Sequence, residues 1–129
     1  MKLQKNLFLL AAVIALIWGI FGLFAPRVLI DFLKVPEEFI NPGLISTQMT
    51  LAIAQISLGI ISIWIRRLDD KALISQAMLV VAVIFLLFGL QSIFAHIVVE
   101  GLAINMFLFI QGIVFVLLGV VFFVLRKPK

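Results

Sequence analysis

The stretch ALISQAMLVVAVIFLLFGLQSIFA, residues 72–95, contains no Asp, Glu, Lys or Arg. Roughly 20 mostly apolar residues are what an α-helix needs to cross the hydrocarbon core of a bilayer, whereas a helix on the surface of a soluble protein carries a charged face. The stretch therefore reads as a transmembrane helix. Three others, 7–25, 45–65 and 101–125, are equally free of charge. All four are too long for barrel strands and lack their apolar-polar alternation, and inside lipid only a helix satisfies its backbone within one segment. The expected fold is an all-α integral membrane protein, a four-transmembrane-helix bundle forming a single membrane domain over 1–129.

Composition agrees with lipid as the solvent. The chain has 129 residues, 65% hydrophobic and only 12% charged, with a mean hydropathy of +1.35, against a charged share of about 25% in soluble domains. The formal net charge of +4 sits on residues that flank the apolar runs, where topology signals and lipid headgroups act. A nucleic-acid partner is therefore not expected, and membrane lipids are. There is no cysteine, which excludes disulfides, thiol redox chemistry and thiolate metal sites. The run after Lys2 and Lys5 is longer than the apolar region of a secretory signal, about 7–15 residues, and Pro26 spoils the cleavage position. An uncleaved first span is expected.

Eight basic residues, Lys2, Lys5, Arg66, Arg67, Lys71, Arg126, Lys127 and Lys129, lie on one side of the four spans, against Arg27 and Lys34 on the other. The positive-inside rule then predicts cytoplasmic N- and C-termini in the cell membrane. The connector 26–44 falls on the outer side. Val28, Leu29, Phe32 and Leu33, beside Asp31 and Lys34, predict a short amphipathic helix in this first connector, begun by Pro26 at its first position. Pro36-Glu37-Glu38 opens a second short helical piece, and Asn41-Pro42-Gly43 reads as a turn. The inner connector 66–71 reads as a tight, solvated turn.

Helices in lipid associate through small residues and polar contacts rather than through the hydrophobic effect. The first span carries Ala11, Ala15, Gly19 and Gly22. The second places Gln48, Ala52, Gln55, Gly59 and Ser62 on one face. The third spaces Ser75, Ala82, Gly89 and His96 by sevens, with Ser92 one turn before His96. The fourth spaces Asn105, Gly112 and Gly119 likewise, with Gln111 beside the seam. Each span thus has one small or polar face, as a bundle requires.

Given the predicted orientation, Gln48, Gln91, Ser92, His96, Glu100 and Asn105 fall in the outer third, and Gln55 and Gln111 near the midplane. Buried amides and an imidazole are costly in lipid unless they meet one another or a ligand. Two readings follow: interhelical contacts alone, or a cavity open outward whose candidate ligand-binding residues are Gln48, Gln55, Gln91, Ser92, His96, Glu100, Asn105 and Gln111. No catalytic residue, metal site or cofactor is expected. One histidine is a thin case for haem, and nothing pairs a nucleophile with a base.

Trp18-Gly19-Ile20-Phe21-Gly22-Leu23-Phe24-Ala25-Pro26, leading to an amphipathic stretch that ends at Val35-Pro36, resembles the small bacterial four-transmembrane-helix proteins of the DoxX-like group and related families of unknown function. Gln55 to Gly59 before Arg66-Arg67 adds to the likeness. The resemblance implies the same four-span bundle and carries over no catalytic residue. The functional expectation is a small multi-pass membrane protein that binds a lipid-like or small hydrophobic molecule, or a partner subunit or second copy of itself, through its outer half. A small-solute or ion transporter or channel component is the alternative. A membrane enzyme using His96 and Glu100 comes third.

Overall fold

The computed structural model describes residues 1–33, 35–98 and 106–127, the last stretch without the side chains of 107 and 108. The described chain is helical throughout: α1 (Lys2–Phe24), α2 (Pro26–Phe32), a 3₁₀ turn (Glu37–Phe39), α3 (Pro42–Ile65), α4 (Lys71–Val98) and α5 (Met106–Val124). α1, α3 and α4 are each long and apolar enough to cross a membrane, and α5 holds a shorter apolar run, Phe109–Val124. The apolar surface points the same way, since Ile17, Phe21, Leu87, Phe94 and Leu117 are all more than half exposed. Such a display belongs in lipid.

Local sequence sets the element ends. Pro26 starts α2, where its fixed φ and missing N–H are no handicap. α3 begins at Pro42, inside the turn expected at 41–43. The Asn41 side chain accepts from Leu44 N at 2.9 Å and Pro42 takes the first helical position, so Asn41-Pro42 is a capped helix start. The 66–71 turn is likewise more than a solvated connector. Asp70 caps α4 by accepting from Leu73 N at 3.0 Å, and Asp69 accepts from Lys5 Nζ at 2.7 Å.

The chain divides into two compact units, one of residues 8–67 and one of residues 1–7 with 68–129. In the first, α1 packs on α3 where side chains are smallest. A Cβ added to Gly19 would stand 2.9 Å from Ile56 N, and one on Gly59 would stand 2.7 Å from Leu16 Cγ. In the second, α4 packs on α5 by the same device: a Cβ on Gly89 would lie 2.7 Å from Val116 N, and one on Gly119 would lie 2.7 Å from Leu86 Cγ. Backbones approach this closely only where the Cβ is missing.

These two sets of contacts are copies of each other. Residues 12–25, AVIALIWGIFGLFA, align with 82–95, AVIFLLFGLQSIFA, at a register of seventy. Ala12, Leu16 and Gly19 answer to Ala82, Leu86 and Gly89. At a register of sixty, Ala52, Ile56, Gly59 and Arg66 answer to Gly112, Val116, Gly119 and Arg126. Burial follows the alignment: each residue from 2 to 24 falls in the same burial class as its counterpart from 72 to 94, and each from 52 to 64 as its counterpart from 112 to 124. The fold is thus a two-helix unit used twice.

The copies differ in two places. In the second unit Phe85 stands 5.7 Å from both Phe115 and Phe122, ring centre to ring centre, whereas the corresponding residues of the first unit are Ala15, Gln55 and Ser62. The link between helices also differs. The first unit inserts α2 and the 3₁₀ turn, while in the second α4 runs on through His96, the counterpart of Pro26.

Candidate functional site

Gln48 and Gln55 lie on the face of α3 that also carries the buried Ala52, Gly59 and Ser62. Both are half-buried. Gly22 makes room for the first: a Cβ there would meet Gln48 Nε2 at 3.0 Å, Ala52 Cβ at 2.9 Å and Leu29 Cδ2 at 3.6 Å, so amide and leucine converge over one glycine. The Gln55 Oε1 and Ser62 Oγ atoms are buried without a hydrogen-bond partner.

In the other unit, Ser92 is buried within α4, while Gln91 is exposed. The His96 ring lies 5.1 Å from that of Phe109, which fixes it against α5. His96 Nδ1 and Gln111 Oε1 are buried and unpartnered. Unpaired buried acceptors cost about 1–3 kcal/mol each, so these positions are where polar chemistry concentrates. Glu100 and Asn105 lie outside the described residues, and with them the His96–Glu100 pair. Among the described residues no group of three or more His, Asp or Glu side chains is placed to hold a metal ion.

A second feature, unread in the sequence, lies in the first unit. Ile17, Trp18 and Phe21 of α1 and Val28, Leu29 and Phe32 of α2 enclose a groove of about 260 Å³ with no polar residue in its wall. Its origin is local. Both triplets have the spacing i, i+1, i+4, which puts three side chains on one helical face, and the bend at Ala25-Pro26 turns the second face toward the first. Leu29 and Ile30 are buried and anchor α2. The sequence signal was that shared spacing, but only the Val28, Leu29, Phe32 half stands out as amphipathic.

Charge borders the groove along the next face of α2. Arg27 pairs with Asp31 at 3.4 Å, one turn away, and with Glu37 of the 3₁₀ turn. The hydrogen bond to Glu37 is the main cause of the Arg27 pKa lying above its ordinary value, with Asp31 adding to it. The bond ties α2 to the segment that follows. Glu38 is exposed and makes no ion pair among the described residues. This arrangement can hold an apolar chain beside a polar, net acidic border. Compared with protein-family models, with curated proteins and with solved structures, the chain matches none.

Proposed function

We propose that this chain is a small multi-pass protein of the cytoplasmic membrane, crossing it four times with both termini in the cytoplasm, that binds a lipid-like or small hydrophobic molecule through its outer half. The observation that carries the reading is the α1–α2 groove. It is concave and wholly apolar, and it is built by the segment that the positive-inside rule puts on the outer face. A likeness to the DoxX-like group belongs to this reading; it implies the same four-span bundle and carries over no catalytic residue.

Val28 lines the groove and is 59% exposed, so Val28→Trp fills the groove without straining a core. Mass spectrometry of material purified in mild detergent should find a hydrophobic molecule with the wild type and at least tenfold less of it with Val28→Trp. Equal recovery from both proteins overturns the proposal. Because the chain has no cysteine, single cysteines at positions 38 and 69 report sidedness directly. Labelling of both from the same side of intact cells would refute the four-span topology.

A further inference from the structure

The internal repeat shows what the groove is not for. The second unit packs its two helices through the same glycine contacts, and among its described residues there is no counterpart of α2. The helix pair therefore does not need α2 to hold together. What α2 adds to the first unit is three of the six residues that wall the groove, Val28, Leu29 and Phe32.

The occupant is constrained from two directions. A volume near 260 Å³ falls below the roughly 300–1,000 Å³ of sites that enclose whole drug-sized ligands. It suits one flexible chain, and Ile17, Phe21, Val28 and Phe32, each at least half exposed, leave its side open to lipid. The polar end of such a molecule must then lie by the connector. There Arg27 is already engaged by two carboxylates, Glu38 is unpaired among the described residues, and the segment 26–44 carries Asp31, Glu37 and Glu38 against Arg27 and Lys34, a net charge of −1. Such a border disfavours an anionic headgroup and favours an ammonium.

Resting on the binding role proposed above, we infer that the groove holds one acyl chain of a phospholipid whose headgroup carries a primary amine, with the amine against the Asp31, Glu37 and Glu38 border. Trp18 in the groove wall is a built-in reporter, and the other tryptophan, Trp64, lies 60% exposed on α3 outside it. Trp64→Phe leaves Trp18 as the sole indole. This variant is reconstituted in vesicles of equal parts phosphatidylethanolamine and phosphatidylglycerol, with brominated acyl chains on one headgroup or the other. Brominated phosphatidylethanolamine should quench Trp18 at least twofold more than brominated phosphatidylglycerol. The Glu37→Gln, Glu38→Gln double variant should remove the difference while leaving the far-UV circular dichroism unchanged.

Strong but equal quenching by the two lipids would overturn the headgroup assignment and leave a chain-binding groove standing. Quenching of Trp18 by both no stronger than that of Trp64, read in a Trp18→Phe variant, would overturn the headgroup assignment and the groove as a lipid site together. A difference that survives in the double variant would overturn the role given to the acidic border.

Discussion

Replacing Gly89 by alanine adds a single methyl group at the closest approach of α4 and α5. That methyl would stand 2.7 Å from Gly112 O, from Val116 N and from Val116 Cγ2. Two of the three are backbone atoms, which cannot rotate aside, so the helices must separate. Overpacking of this kind costs about 1–3 kcal/mol, and alanine returns up to about 1 kcal/mol of helix propensity. With backbone on both sides the cost falls in the upper part of its range, leaving a net loss of about 1–2 kcal/mol, or roughly five- to thirty-fold in the folded-to-unfolded ratio. Gly59→Ala is the comparison. Its nearest neighbours are the Leu16 Cγ and Cδ2 atoms at 2.7 and 2.8 Å, with backbone no closer than 3.3 Å. A leucine can change rotamer, so the net loss there stays below about 1 kcal/mol. Gly19→Ala, which meets Ile56 N at 2.9 Å and Ala52 O at 3.0 Å, should track Gly89→Ala because it is the same position in the other unit. Equilibrium unfolding by increasing sodium dodecyl sulfate in mixed micelles, followed by circular dichroism, measures all three. A neutral or stabilising Gly89→Ala, or a Gly59→Ala that costs more, would refute the packing account, and a Gly19→Ala that departs from Gly89→Ala would refute the equivalence of the units.

The unpartnered amide oxygens give a second expectation. Gln55→Leu and Gln111→Leu should each leave the protein as stable or up to about 1–3 kcal/mol more stable in detergent, measured by the same unfolding assay; a marked loss would mean that the amides are structural. The Lys5–Asp69 ion pair gives a third. The hydrogen bond from Lys5 holds the Asp69 carboxyl below its ordinary range. A depressed value in the folded state means that the pair stabilises above the ordinary carboxylate range and fades as pH falls through the lowered value, below about pH 4. Asp69→Asn should therefore lower the melting temperature slightly at pH 7 and by progressively less as the pH falls below about 4, and a difference that does not shrink on acidification would count against it.

The three long helices were legible because their runs exclude charge, a signal that local detail cannot mask. The small-residue faces were legible too: Ala11, Ala15, Gly19 and Gly22, then Ala52, Gly59 and Ser62, then Ala82, Gly89 and Ser92 are all buried. Element starts were harder, because Asn41-Pro42 serves a turn and a capped helix equally well until the Leu44 amide is seen to point at Asn41 Oδ1. Asp69 and Asp70 looked interchangeable, and only the fold gives one to Lys5 and the other to the α4 start. Gln91, one residue from the buried Ser92, turned out exposed, since 100° of helical rotation separates adjacent side chains. The groove stayed hidden because an apolar residue that faces lipid and one that faces a ligand are chemically alike. The repeat was masked by its unequal connectors, which shift the register from seventy residues in one helix to sixty in the next.

A repeat within one chain has freedoms that a pair of identical chains lacks. When two copies are separate molecules, any substitution appears in both, and a bulky ring gained in one is gained in the other. Joined in one chain, the copies can part ways. Here one has gathered three phenylalanines, Phe85, Phe115 and Phe122, and the other holds Ala15, Gln55 and Ser62 at the same places. One half fills these places with aromatic rings. The other keeps small and polar side chains at those places and carries α2, a helix without a match among the described residues of its sibling, so two halves built on one framework have come to differ in what they hold inside.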